Sequence, residues 1–413
     1  MLSSFIINSW DIDFPILNPW ILFTRMKRYF FLSVVLLAAM QMAAEPAQKQ
    51  RVLTVVRNGK QVLEAKRSNM PVLGTFDNGC SAEQTSEMAS FLRFYDEAVR
   101  RVEAGEEMDD VFIRINRAAA TADSVGPLLG NIKYDQGEPY NRKCPVLNNE
   151  GRSVTGCVAT AMAQVMRYYQ HPACGTGTSS YTGSSGAVTY NFSQHPFNWS
   201  LILENYSSQS YTNAQAEAVA ELMLACGASV NMKYSADGSG SNADKAALAL
   251  KNIFDYPTAA NLELYVSNED IRQNILVEVW GEALRMNIDA GHPVIYAGSS
   301  GNAITGHCFV VDGYKFDAAG NTYFHINWGW SGANDGWFLI TGFQPTPDET
   351  NYSYYRNSMV YDIYPPTGTG VDNTSSNKLD LTMPVYNILG QQVNVNQLQR
   401  GMIYIQKGRK FVW

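Results

Sequence analysis

Two neighbouring apolar runs constrain this chain more than any other part of it. Gly306–Tyr314 reads as a strand that begins at His307, and Thr322–Trp330 reads as the next strand. Asp317-Ala318-Ala319-Gly320 supplies a turn between them, so the two are expected to pair antiparallel as a hairpin. His307 opens the first strand and Asn327 lies late in the second, and the pairing is expected to set them side by side. From Val125 to about Pro366 the chain is rich in Tyr, Trp and Gly, with helical patterns first and strand patterns later, the order of an α+β fold.

Among the helical patterns, Ala159, Met162, Ala163 and Met166 recur at i, i+3, i+4 and i+7, so one face of that segment should be buried. Thr155 and Gly156 precede it as capping residues. Cys157 then falls in the first turn, where the positive end of the helix dipole favours thiolate over thiol. Taken singly, a thiol on an apolar helix is a small core hydrophobe, and His307 and Asn327 are ordinary strand or turn residues. Taken together they supply a nucleophile, a base and a group to orient the base, in the order Cys…His…Asn. His307 follows Cys157 by about 150 residues, the rough spacing of papain-like sites. The backbone N–H of Cys157 is one oxyanion donor, and Gln136, in Tyr134-Asp135-Gln136-Gly137, stands upstream of the nucleophile where a second is needed. Trp328, next to Asn327, would shield the His–Asn hydrogen bond from water. His325 is a weaker competitor, since strand alternation points it the same way as Asn327. His171 and His195 each precede Pro and mark turns, and His292 reads as structural.

The remaining properties bound the setting of this constellation. A chain of 413 residues suggests two or three domains. With 46% hydrophobic and 17% charged residues it is globular, and a net charge of −7 argues against nucleic-acid binding through a basic surface. The six cysteines, at 80, 144, 157, 174, 226 and 308, form no CxxC pair or Cys/His cluster, so no metal or other cofactor is called for, and most are expected to be reduced and buried. Met26-Lys27-Arg28, the apolar run Tyr29–Met40 and the small residues before Glu45 read as a secretory signal peptide over 26–44. Residues 1–25 are then an upstream extension, with translation starting at Met26; the alternative is a long signal-anchor. No other segment is apolar enough to span a bilayer.

Residues 45–123 differ in tone. Arg51–Val56 and Gln61–Leu63 read as strands about an Asn58-Gly59 turn. A helix follows over roughly Glu83–Ala104 with Met88, Leu92, Tyr95 and Val99 on one face, and a second helix over about Met108–Ala120. The main domain runs over 124–366, a polar linker over 367–378, and strand-like runs with turns fill a short β segment over 379–413.

These motifs resemble the streptopain family of secreted papain-fold cysteine peptidases. The resemblance rests on four stretches in order: Tyr134–Asn141, Thr155-Gly156-Cys157 with the helix after it, Gly306-His307 with Val-Val-Asp-Gly following, and His325–Gly336. It implies a two-lobed domain, helical lobe first and antiparallel β lobe second, that hydrolyses peptide bonds. It implies Cys157 as nucleophile, His307 as base then acid, Asn327 and Trp328 as orienting and shielding groups, and Gln136 with the Cys157 N–H as oxyanion hole. It also implies a zymogen, in which 45–123 is a prodomain that folds on its own, acts as intramolecular inhibitor and displaces the His region, with a maturation cut near Ala118–Ser124. Tyr234–Ser241 takes the place of the loop that lines the substrate pocket, which assigns Ser239 and Ser241 to substrate binding, while Gly306 is small enough to let substrate backbone approach. The C-terminal runs Val385–Val393 and Gly401–Lys410 resemble a sorting domain of the type IX secretion system, which would make that machinery a partner and the product secreted or cell-surface. Protein or peptide substrates are then expected. An acyl transferase on the same fold, or a non-catalytic papain-fold surface adhesin, are the alternative readings.

Overall fold

The computed structural model describes residues 51–66, 70–79, 86–147, 151–183, 186–265, 273–299, 306–340, 356–366, 384–387, 392–394, 403–406 and 409–412. The signal-peptide reading over 26–44 and the extension over 1–25 fall outside the described residues, as do Cys80 and the linker 367–378.

Strands β1 (Val52–Arg57), β2 (Lys60–Ala65) and β3 (Gly74–Phe76) come first, then helices α1 (Ser86–Glu103) and α2 (Met108–Val111) and the short strand β4 (Ser124–Val125). The helical lobe follows. A small hairpin of β5 (Val146–Leu147) and β6 (Gly151–Arg152) leads into α3 (Cys157–Tyr169). Next come the hairpin of β7 (Thr178–Gly183) and β8 (Gly186–Asn191), then α4 (Asn213–Ser229) and α5 (Ala243–Asn252). Strand β9 (Ala260–Tyr265) and helix α6 (Gln273–Asp289) lead into β10 (Val294–Ser299), β11 (Gly306–Phe316), β12 (Thr322–Asn327), β13 (Gly336–Phe338) and β14 (Arg356–Tyr361). The expected hairpin is β11–β12, and its turn closes where Gly320 donates to the Asp317 carbonyl while the Asp317 side chain accepts from Ala319 and Asn321. Strands β15 (Val385–Asn387), β16 (Gln392–Val393), β17 (Ile403–Gln406) and β18 (Arg409–Val412) form a separate antiparallel sheet in the order β16-β15-β17-β18, where strand-like runs were expected.

One large antiparallel sheet organises the rest, in the order β1-β2-β3-β13-β12-β11-β10-β14-β9, with β4 against β11. Alternation along β11 sends its side chains into two different cores. Cys308 and Val310 face the cluster of the helical lobe, which holds Met162, Ala163 and Met166 of α3. Phe309 and Val311 face the opposite cluster, which includes Leu63, Leu73 and Phe76 from the N-terminal strands and Met88, Leu92, Tyr95 and Val99 from α1. The face read for α1 is therefore the buried one. Residues 51–123 do more than lean on the β lobe: β3 extends its sheet through Gly336↔Phe76 and Phe338↔Gly74, and both parts contribute to one apolar cluster.

The second N-terminal helix is much shorter than its pattern implied. Only Met108–Val111 is helical, and a single 3₁₀ turn follows at Arg117–Ala119. Between them the chain is extended, with Ile113 and Ile115 buried and Arg114 exposed between them. The β lobe captures this stretch: Ile113 N–H donates to the Ile340 carbonyl at 2.7 Å and Ile115 N–H to Thr322 Oγ1 at 3.1 Å. Tertiary pairing of two β-branched residues overrides a weak local helix preference.

Gly281 on α6 is what lets this stretch lie so close. A Cβ there would sit 1.8 Å from the Arg114 carbonyl oxygen. Gly to Ala inside a helix normally gains about 1 kcal/mol, but here the backbone must separate, so Gly281→Ala is expected to lower stability by about 2 kcal/mol or more. Thermal unfolding of the full chain checks the sign.

Candidate active site

Cys157 is the first residue of α3, and Gly156 before it adopts φ +88°. A side chain at Gly156 would also lie 2.8 Å from Met232 Sδ and 2.9 Å from the Ser239 carbonyl, so both the turn and the space demand glycine. This turn leaves Cys157 half-buried against the helical-lobe cluster, with its backbone N–H among the donors that have no partner within the helix.

Gln136 is fastened to the same turn. Its carbonyl accepts from Thr155 N–H at 3.0 Å, two residues before Cys157. Its own N–H donates to Asp135 Oδ1 at 2.6 Å, and Asp135 Oδ2 accepts from the Ser331 hydroxyl at 2.8 Å. Tyr134 N–H reaches Gln164 Oε1 on α3 at 3.1 Å. The segment carrying Gln136 is thus strapped both to α3, the helix that Cys157 begins, and to the loop after β12.

Helix α3 packs on β11, whose first residues are Gly306, exposed, and His307. The hairpin register departs from expectation here. Past a bulge between Val311 and Gly313, Asn327 pairs with Val310, and β12 ends there, three residues short of His307. His307 lies beyond the last pair and meets the turning chain: its Nε2 is 2.8 Å from the Trp328 carbonyl oxygen. A carbonyl can only accept, so Nε2 carries the proton and Nδ1 of the neutral ring is the basic nitrogen. The ring lies on Trp330 at 4.6 Å and 30°, and Trp330 stacks on Trp328 at 5.4 Å and 8°. Trp328 is 1% exposed and His307 9%.

Asn327, expected beside His307, makes other bonds that shape the same turn. Its Nδ2 donates to the Ile132 carbonyl at 2.8 Å and its Oδ1 accepts from Gly329 N–H at 3.1 Å. The main-chain carbonyl of Trp328 takes the orienting position that the sequence assigned to the Asn327 amide. Asp335 completes the turn and was missed: its Oδ1 accepts from Trp328 N–H at 3.0 Å while its Oδ2 pairs with Lys133 Nζ at 2.8 Å. Burial pushes the Asp335 carboxyl up, and Lys133 and the Trp328 N–H offset only part of that. The available signal was an acid inside an aromatic and Gly-rich run, a position a carboxylate tolerates only when paired.

Ser239 and Ser241 spend their hydroxyls within their own surroundings. Ser239 Oγ donates to the Val154 carbonyl at 2.6 Å and accepts from Ser235 N–H at 3.0 Å, and Ser241 Oγ donates to the Val230 carbonyl at 2.7 Å. The loop nevertheless runs beside the turn that carries Cys157, since the Ser239 carbonyl is among the atoms that crowd Gly156. His325 does not join this site. It is buried between Asp312 and Asp77 at 2.5 and 3.0 Å. His292, stacked on Tyr364, has its pKa lowered by burial.

Cys144, Cys157, Cys174, Cys226 and Cys308 stand outside any disulfide. Burial pushes the Cys144 thiol up to about 12 and raises those of Cys226 and Cys308 as well. Among the described residues no group of three or more His, Cys, Asp or Glu side chains could hold a metal ion, and no helix is long and apolar enough to cross a membrane.

Comparison with known proteins points the same way. A model of the peptidase C10 family matches residues 134–338, the span from the Gln136 segment through β13. Streptopain of Streptococcus pyogenes is 29% identical over 338 residues, covering 75% of this chain and 79% of streptopain. The thiol protease/hemagglutinin PrtT of Porphyromonas gingivalis is 31% identical over 289 residues, covering 66% of this chain and 31% of PrtT. Among solved structures, a fragment of Prevotella intermedia prointerpain A superposes with a TM-score of 0.63 at 26% identity, covering 76% of this chain and 99% of that one.

Proposed function

Because the chain belongs to the peptidase C10 family, the streptopain family, and is a cysteine peptidase, we propose that it is an exported endopeptidase made as a latent zymogen, with Cys157 and His307 as its catalytic pair. The reading is supported by three placements: Cys157 begins α3, Gln136 is bonded through its carbonyl to Thr155 N–H two residues before it, and His307 opens β11, the strand that α3 packs on, with its ring held by the Trp328 carbonyl.

In this mechanism the Cys157 thiolate attacks the scissile carbonyl. The Gln136 carboxamide and the Cys157 N–H stabilise the oxyanion. The Nδ1 of His307 takes the thiol proton, delivers it to the leaving amine and then activates water for deacylation. Asn327 acts indirectly, by fixing the turn that presents the Trp328 carbonyl, while Trp328 and Trp330 hold the imidazole plane. Ser239 and Ser241 order the loop beside the cleft, so substrate meets its backbone, and Gly306 leaves room for the substrate chain. Residues 45–123 are the inhibitory prodomain, cut near Ala118–Ser124, where Asn116–Ala118 and Thr121–Ser124 are exposed. Substrates are proteins or peptides. The C-terminal sheet serves sorting through a type IX machinery after signal-peptide export.

The direct test is labelling of the matured protein with an epoxysuccinyl peptide under reducing conditions. Adduct on Cys157 alone is expected, with loss of casein hydrolysis in step with labelling. Stoichiometric loss of activity with the adduct on Cys174 or Cys308 would refute the assignment.

A further inference from the structure

His325 sits on β12 with 2% of its surface exposed, outside the catalytic turn. Both ring nitrogens face carboxylates: Nδ1 is 2.5 Å from Asp312 Oδ1 and Nε2 is 3.0 Å from Asp77 Oδ2. Carboxylates accept and do not donate when ionised, so both nitrogens carry protons and the ring is an imidazolium. The two acids differ in origin. Asp312 lies on β11, and its other oxygen accepts from Leu129 N–H at 2.9 Å. Asp77 follows β3 in the N-terminal segment, and its N–H donates to the Asp335 carbonyl at 2.8 Å. The N-terminal segment therefore reaches a buried cation of the β lobe and the backbone of the residue that positions Trp328.

We propose that His325 is a carboxylate-binding site built into the catalytic sheet, that its occupant is Asp77, and that this ion pair is the latch holding the end of β3 against β13. The proposal rests on the reading of 45–123 as a prodomain. It gives a function to a histidine that the hydrolytic mechanism does not use. A buried imidazolium with one counter-charge removed is costly, so the latch acts mainly through what its loss would leave behind.

The surrounding charges set its pH range. Burial opposes the charge on His325, but Asp312 and Asp77 outweigh it and hold the ring at about 9. Burial likewise raises Asp77, but His325, Lys133 and Lys315 outweigh it and hold the carboxyl below its usual range. Lys133 is itself paired with Asp335, and Lys315 lies 4.5 Å over the Trp337 ring with Lys60 nearby. Docking depresses the Asp77 pKa, so its contribution is present above the free carboxylate value of about 4 and is lost as pH falls through the docked value. Docking raises the His325 pKa, so its contribution is present below the undocked value and is lost as pH rises through about 9. The latch is strongest between these limits.

The test uses the full chain carrying Cys157→Ala, which cannot process itself, and reads hydrogen exchange at β3 against β10 as an internal control. Protection of β3 is expected to be highest from about pH 5 to 8 and to fall in acid. Adding Asp77→Asn should lower β3 protection at pH 7 by about tenfold or more and abolish the acid fall, while Asp77→Glu restores both and β10 stays unchanged. The idea fails if Asp77→Asn leaves β3 protection at pH 7 within twofold, or keeps the acid fall. This readout needs no catalysis, so it separates from the peptidase assignment, which the labelling experiment decides. It also separates from the prodomain reading, which fails if uncleaved and cleaved chains hydrolyse casein equally.

Discussion

Replacing Cys157 by Ala is expected to lower casein hydrolysis by roughly 10⁵-fold or more, to the level left by binding and oxyanion donors alone. The turn geometry predicts that the fold survives. Cys157 is only half-buried, the φ +88° that builds the turn belongs to Gly156, and the Thr155–Gln136 bond is a main-chain one. Loss of one thiol therefore removes the nucleophile without disturbing its setting. The same variant should remain full length on incubation if the Ala118–Ser124 cut depends on the chain's own activity. Gel mobility and N-terminal sequencing beside the unaltered protein check both outcomes. A variant with undiminished hydrolysis would end the Cys157 assignment, and self-conversion that persists would assign the cut to another protease.

His307→Gln is expected to cost about 10²- to 10⁴-fold in kcat/KM, the range for a positioned proton-transfer group. Glutamine preserves a donor for the Trp328 carbonyl, 2.8 Å from Nε2 in the native chain, and so separates ring placement from basicity. The structure also predicts how the defect partitions. His307 stacks on Trp330 and Trp328 and is proposed to transfer protons rather than to hold substrate, so KM should change little and kcat should carry the loss. The acid limb of the pH–rate profile, from protonation of this base, should vanish with the ring. An intact acid limb in His307→Gln would move the base elsewhere.

The architecture was largely legible from the sequence because period and order carry it. The α3 periodicity, the Met88–Val99 face of α1 and the β11–β12 hairpin turn all follow from spacing and turn chemistry. What was not legible depends on tertiary placement. Ile113 and Ile115 are extended because the β lobe pairs with them, which their own neighbours in sequence do not announce. The strand pairing sets Asn327 opposite Val310, three residues from His307, and only the turn beyond the strand brings the Trp328 carbonyl to the imidazole, which spacing along the chain does not announce. Asp335 and Lys133 were invisible for a different reason, being 202 residues apart and meaningful only as a pair.

The pairing of β3 with β13 also governs the order in which this protein can assemble. Gly336 meets Phe76 across 260 positions of chain, and non-local closures of this kind come late and slowly in folding because the loop entropy precedes the contact energy. The turn from Trp328 to Asp335 is needed both to offer the carbonyl that His307 binds and to start the strand that β3 joins. A chain synthesised only as far as β12 therefore has neither the turn that holds His307 nor the strand that β3 joins.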